Sequence, residues 1–559
     1  MGDYLETKNK YISSAFLLVL SSVIVKVIGA VYKIPLTAFV GAVGRGYFAA
    51  AYNVYLPVHA LLMGAFPTAV SRLVSKYSAL GNKRMLSSIK NGSMTVFFIS
   101  GVIGMAVIIA AAKPYSVYIA SSPKSVYTVY VLAPSILFSC LAACYRGYFE
   151  GCMNMTPTAV SQTAEALFKM IFGLLFARMS MAYMYNCYTE SGAVFGVKLN
   201  GEAQALSFIY PFSSAAAMLG VTLGAAVSYI YVFVYYLINR DKSLPKASGR
   251  DGRRELLSFS FPIMVSCSVQ SVFQFLDTAS VQYSLGKLNP VIIERIYPDI
   301  STLAGSDYVT YVFGLFSTAL DFKNLVPGVT MALGVCAVPA ICREYERKNG
   351  EKLSLLMNSV YKYTALLSCF GGCFIALAAE DILSLFYSSS PDIISGCRDI
   401  VFWFGITVPA YSLASTAVFC VQALGKPERS VLPYIISGLI RVLLNVVLIR
   451  FTNLYLLGAV AAGAAGYSVL FIQNAVISKR IAKVNFEFKN VIIKPFFVSA
   501  ASFFISKKAI ILMQFTNSLF FNLLIKMTVF GGIYCILCIF VKLINFKQIF
   551  CALKIKKMA

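Results

Sequence analysis

Runs of about 18 or more mostly apolar residues recur from one end of this chain to the other, and a run of that length crosses about 30 Å of hydrocarbon as a helix. In lipid every backbone N–H and C=O must be satisfied within the segment, so such runs fold as helices. The pattern places spans at 12–34, 47–71, 93–112, 126–148, 158–184, 204–238, 256–283, 308–341, 353–378, 399–423, 431–450, 454–478, 490–506 and 519–544. The fold class is therefore all-α, a polytopic membrane protein of about fourteen transmembrane helices. Composition agrees. The 559 residues are 58% hydrophobic and 13% charged, against about 45–50% and about 25% in soluble domains. The N-terminal "MGDYLETKNKYISSAFLL" lacks a small-residue cleavage site, so the first span is expected to be a retained helix.

The formal charge is +25. In a soluble protein that would suggest nucleic acid, but here alternate loops explain it. With the N-terminus inside, one set of loops includes "RLVSKYSALGNKRMLSSIK", "NRDKSLPKASGRDGRR", "REYERKNGEK", "GKPERS", "SKRIAK" and the tail "KIKKMA". The quoted segments alone hold 23 of the 48 Lys and Arg, which fixes the orientation by the positive-inside rule. An even span count then puts both termini in the cytoplasm. No nucleic-acid partner is needed.

The segment 239–255 is polar, basic and broken by Pro245, Gly249 and Gly252. It divides an N-terminal six-helix lobe, 1–238, from a second six-helix lobe, 256–480. Two further helices and a basic tail follow over 481–559. The lobes echo each other. "PTAVSRLVSKYSALGNKRML" follows the second span and "VPAICREYERKNGEKLSLL" the eighth. "EGCMNMTPTAVSQTAEALFK" follows the fourth and "QALGKPERSVLPYIISGLIR" the tenth. Matched features in two halves mark the repeats of transporters that rock about a central site.

Ionisable groups inside spans are costly, by at least about 2.5–3.5 kcal/mol at mid-bilayer, and usually face a cavity or a partner. Lys26 and Lys33 lie seven residues apart and share a helix face with Ser22 and Gly29. Lys26 is deep, whereas Lys33, just before Pro35, can also snorkel to headgroups. Gln162, Glu165 and Lys169 share a face, with Glu165 and Lys169 in the favourable i, i+4 order for a pair. Ser437, Arg441 and Asn445 form another stripe, with no acidic residue within helical reach of Arg441. Gln270, Gln274 and Asp277 line a face of the seventh span, and Asp321 and Lys323 bracket a turn of the eighth. Deep cations outnumber deep carboxylates, which suits an anion such as phosphate or pyrophosphate: Arg grips it bidentately and Lys acts as a point charge. Lys26, Arg441, Lys169, Lys33 and Asn445 are the substrate-binding candidates. Asp277, Asp321 and Glu165 are the candidates for ion coupling or gating.

Other motifs carry less. No Walker A pattern occurs, and "GAVGRGY" over 41–47 follows no strand, so it is expected to be a loop turn rather than a nucleotide fingerprint. The 14 cysteines, Cys267 and the Cys535/Cys538 pair included, sit mostly in apolar runs without zinc spacing and suit packing. His59, the single histidine, has packing and proton-sensing readings. No nucleophile–base or metal constellation appears, so neither an enzyme nor a cofactor is expected.

The stretches "SSVIVKVIGAVYKIPLTAFVGAVGRGYFAAAYNVY", "GAFPTAVSRLVSKY", "YRGYFEGCMNMTPTAVSQTAEALFK", "VPGVTMALGVCAVPAI" and "QALGKPERSVLPYIISGLIRVLLNVVLI" resemble the stage V sporulation protein B branch of polysaccharide biosynthesis transporters. That branch belongs to the superfamily that also holds multidrug and toxin extrusion transporters and lipid II flippases. The resemblance covers residues from about 10 to 480 and weakens around 283–307. It implies two six-helix lobes in a V plus two C-terminal helices, working by alternating access as a monomer. It implies transport of an undecaprenyl-linked anionic glycan, lipid II foremost, from the inner to the outer leaflet. Lys26 and Arg441 match basic positions of this branch, and Lys169 falls where a basic residue often follows Glu165. Membrane lipids and other cell-wall assembly proteins are the compatible partners. The alternatives are a cation-coupled multidrug exporter of the same fold, a flippase for another lipid-linked polysaccharide unit, and a membrane scaffold for wall or spore-coat assembly.

Overall fold

The computed structural model describes residues 2–240, 245, 247–298, 307–483, 486–511 and 518–543. Residues 241–244 and 246 of the linker, 299–306 of the long loop, the tail from 544, and the side chains of Ser22 and Cys267 lie outside the described residues.

The expected spans fall on helical backbone. The first two share α1 (Gly2–Ala79), and the third lies in α2 (Lys83–Pro114). The fourth is split between α3 (Val126–Leu132) and α4 (Pro134–Gly151). The next three are α5 (Thr156–Ser191), α6 (Glu202–Asn239) and α7 (Arg250–Leu285). After a short α8 (Pro290–Ile296), the eighth is α9 (Tyr308–Glu346) and the ninth α10 (Gly350–Leu377). A short α11 (Ala379–Tyr387) precedes α12 (Pro391–Ala423), α13 (Val431–Phe451) and α14 (Leu456–Ala482). The last two are α15 (Lys494–Ile511) and α16 (Leu519–Phe540). A two-residue hairpin, β1 (Ala193–Val194) with β2 (Val197–Lys198), joins α5 to α6. Among the described residues ten helices are long and apolar enough to cross a membrane. One of them, the Ile24–Ala79 stretch of α1, has 56 residues, about 84 Å of helix at about 1.5 Å per residue, which is enough for two crossings.

The turn expected over 41–47 is corrected. Only Gly41 leaves the helical region, at φ 64° and ψ −178°. Residues 42–48 resume the helix at once and are buried. A single residue in the left-handed half of φ/ψ space redirects the chain, a conformation glycine adopts without steric cost.

The chain divides into two compact units, Met1–Ser317 and Thr318–Ala559. In the first, buried Leu36, Phe48, Val70, Phe97, Ile136 and Met218 form one apolar core from α1, α2, α4 and α6. The start of α7 is bound to α2: Ser88 Oγ donates to Ser248 O at 2.6 Å, and Gly252 N donates to Ser88 Oγ at 3.1 Å. Glu255 accepts from Lys76 Nζ at 3.1 Å and from the Tyr77 hydroxyl at 2.9 Å.

In the second unit α10 packs along α12, and the two last helices close on α10 through Leu366, Val498, Phe530, Tyr534 and Cys538. Tyr534 donates to Leu366 O at 2.9 Å. Lys526, a charge within the final span, pairs with Asp381 in the first turn of α11. That pairing offsets the cost of an ammonium group there.

Candidate functional site

In the first unit α1 presents Phe48, Tyr52, Tyr55 and His59 at spacings that share one helix face. Successive ring centroids lie 5.0, 5.9 and 5.2 Å apart. Tyr32, from before the Gly41 break, adds a fifth ring 6.0 Å from Phe48. Cations gather against this ladder. Lys169 Nζ donates to the Tyr52 hydroxyl at 2.6 Å and stands 5.7 Å from the Tyr32 ring. Arg45 is 3% exposed, with its guanidinium 5.3 Å from the Phe48 ring.

The expected Glu165–Lys169 pair is not what forms. Glu165 Oε2 accepts from Arg146 Nη2 at 2.8 Å, and Arg146 Nε donates to Ser161 Oγ at 2.8 Å. Ser228 Oγ takes a further Arg146 donor. A fixed guanidinium fork on α4 outcompetes a flexible ammonium on the same helix. Lys169 is thereby left to a neutral phenol and the faces of tyrosines. His59 lies within electrostatic reach of Glu165, Arg146 and Lys169.

The pair carries a stability prediction. Its side chains are 14% and 31% exposed. Arg146→Ala should cost about 2–3 kcal/mol, because it leaves a poorly solvated carboxylate without its partner. Arg146→Met with Glu165→Leu should recover most of the loss. Thermal unfolding of the purified protein reads both, and equal stability of Arg146→Ala and wild type would refute the role.

In the second unit the Ser437, Arg441, Asn445 stripe is buried, at 0%, 4% and 1% exposure. Arg441 Nη1 donates to the Tyr467 hydroxyl at 2.9 Å, and its Cζ lies 4.7 Å from the same ring. Lys323, 8% exposed, stands 5.1 Å from Phe404, 5.2 Å from Tyr411 and 5.1 Å from Tyr467. Aromatic faces hold desolvated cations through their negative quadrupole. Gly466 makes room for Arg441: a Cβ there would lie 2.2 Å from Arg441 Cγ.

The remaining candidates lie elsewhere. Lys26 is exposed beside Ile24 and Val27, and Lys33 is half-buried, its carbonyl accepting from Thr37 Oγ1 at 2.9 Å. Asp277 on α7 and Asp321 on α9 are half-buried, while Gln270 and Gln274 are exposed. Arg45, Arg146 and the tyrosines were not among the sequence candidates. The Phe48–Tyr52–Tyr55–His59 spacing was the signal that could have found them.

Long apolar helices with cations held against aromatic rings inside each unit make this a polytopic membrane protein with candidate anion contacts in both units. Comparison with known proteins agrees. Residues 12–198 match the family described as polysaccharide biosynthesis protein, and residues 292–447 match MatE. The chain is similar to lipid II flippase MurJ of Bacillus subtilis (strain 168), 24% identical over 86% of this chain and 84% of that protein. It is also similar to stage V sporulation protein B of the same organism, 20% identical over 86% of each. A solved structure of lipid II flippase MurJ in an inward closed conformation shares its fold, with a TM-score of 0.65. That match covers 94% of this chain and 99% of the other at 15% identity. The resemblance drawn from sequence motifs is borne out, and these relatives are flippases and a sporulation protein rather than enzymes.

Proposed function

We propose that this protein is a flippase for an undecaprenyl-pyrophosphate-linked cell-wall precursor, lipid II foremost, moving it from the inner to the outer leaflet by alternating access. The observation that carries the reading is the set of cations held against aromatic rings, buried Arg45 and half-buried Lys169 in one unit and buried Lys323 and Arg441 in the other. A diphosphate leaving water needs such donors, and rings hold the charges in place between visits. Lys26 is the entry contact in this scheme, with Lys33 a shallower attractant. Lys169, Arg441 and Asn445 receive the headgroup, and Asp277, Asp321 and Glu165 gate the cycle or couple it to an ion. Lobes 1–238 and 256–480, joined by the basic linker at 239–255, alternate in access, two additional helices and a basic tail follow over 481–559, and both termini are cytoplasmic. The similarity to a named lipid II flippase supports the choice of cargo.

The test is rescue in a bacterium whose own lipid II flippase can be switched off, scoring lipid II exposed on the outer leaflet. Wild type should restore exposure and Lys26→Ala should not. A well-expressed wild type that restores none would exclude lipid II as cargo. The MatE match favours one second reading, a cation-coupled exporter using Asp277 or Asp321; drug efflux without precursor export would establish it.

A further inference from the structure

A cavity of about 760 Å³ lies within the second unit, where α10 begins and where α14 and α16 end. Lys362, Lys483, Lys494 and Lys542 line it, against the carboxylates of Glu351 and Glu487. Two positive charges are in surplus. Glu487 is also engaged by carboxamides: Asn490 Nδ2 donates to its Oε2 at 2.9 Å, and its backbone N donates to Asn358 Oδ1 at 3.2 Å. None of these residues belongs to the Lys323–Arg441 group.

The placement of the lysines follows from the helices that carry them. Lys483 caps the C-terminus of α14, and Lys542 lies two residues beyond the end of α16. Each ammonium offsets the negative end of a helix. On α10 the polar positions 351, 354, 358 and 362 recur every three or four residues, so one polar stripe runs about 16 Å along an otherwise apolar helix. Lys494 opens α15.

Next to the cations the surface turns apolar. Phe497, one turn beyond Lys494, is 73% exposed, and Phe540, two residues before Lys542, is 84% exposed. Ile536 and Ile493 are 66% and 50% exposed. A basic recess beside exposed apolar side chains at the ends of membrane helices matches a phosphate joined to acyl chains. A soluble anion has no use for the apolar flank. The volume leaves ample room for a phosphoglycerol headgroup, and basic pockets between membrane helices are established lipid sites in other proteins.

We infer that this pocket holds the headgroup phosphate of an anionic glycerophospholipid, with its acyl chains along Phe497 and Phe540, and that the lipid ties α15 and α16 to α10. The inference rests on the membrane assignment and not on the transported cargo.

The test is native mass spectrometry of the full chain in detergent with phosphatidylglycerol and phosphatidylcholine. Wild type should retain phosphatidylglycerol selectively. A basic residue near an anionic headgroup is worth about fivefold in binding, so Lys362→Gln with Lys494→Gln should lose about 25-fold. The double arginine variant should keep binding, which separates lost charge from lost folding. Arg84→Gln with Arg429→Gln, both exposed and outside the pocket lining, should bind as wild type. Equal retention of both lipids by wild type would overturn the inference, as would full binding by the double glutamine variant or an equal loss in the control. Displacement by free glycerol phosphate at the lipid's own concentration would instead make this a soluble-anion site. Transport enters no arm, so failure here is distinct from failure of the flippase reading.

Discussion

Arg441→Ala will lower outer-leaflet exposure of the lipid-linked precursor by about a hundredfold, and Arg441→Lys will retain about a tenth of the wild-type rate. Removing one partner of a desolvated charge–charge contact costs about 2–5 kcal/mol, and about 2.8 kcal/mol is a hundredfold. Lysine restores the charge without the bidentate fork, so partial function is expected. Lys169→Ala should fall by a similar factor, because Lys169 is held by a phenol and ring faces rather than by Glu165. The measurement is the same depletion assay at matched expression, paired with thermal unfolding of each purified variant. A structural role for Arg441 would lower stability in step with export. A cargo role lowers export in a protein that unfolds at the wild-type temperature. Wild-type export by both alanine variants would end the cationic-cage proposal.

The class of protein was legible because the apolar runs are long and the bilayer admits only helices there. The Ser437–Arg441–Asn445 face was legible too, since a periodicity of four survives burial. What escaped the sequence depended on partners distant in the chain. Glu165 sits one turn before Lys169, and local spacing alone pairs them. Arg146, 19 residues upstream of Glu165, wins because α4 brings its fork against Ser161, Glu165 and Ser228 together. Lys323 reads as part of a turn until Phe404, Tyr411 and Tyr467 are folded around it. "GAVGRGY" reads as a loop because glycine marks turns in water. In membrane helices the same small residues serve close packing. Ala42 and Gly46 are four apart, which is a small-xxx-small face.

That face carries a large expected stability effect. Gly314→Leu should not accumulate as a folded, monodisperse protein. A Cβ on Gly314 would lie 1.8 Å from the Ala42 carbonyl oxygen, and one on Gly46 would lie 2.0 Å from the Thr310 carbonyl oxygen. Both obstacles are backbone, so no rotamer change relieves them. Thr310 and Gly314 on α9 repeat the small four-residue spacing of Ala42 and Gly46 on α1, and the two faces meet backbone to backbone. Polar contacts fix the same end: Lys124 pairs with Asp307 at 2.8 Å, and Thr310 Oγ1 donates to Ser122 Oγ at 2.6 Å. Both contacts hold the start of α9 to residues 122–124, between α2 and α3, so moving α9 away from α1 would strain them. Gly314→Ala already sets this Cβ against backbone, so it should cost at least about 3 kcal/mol, the upper end of the overpacking range, and leucine adds bulk beyond that. Fluorescence-detected size exclusion and thermal unfolding of Gly314→Ala and Gly314→Leu, beside wild type, read the series. A monodisperse Gly314→Leu protein of wild-type stability would show that α1 and α9 do not approach this closely.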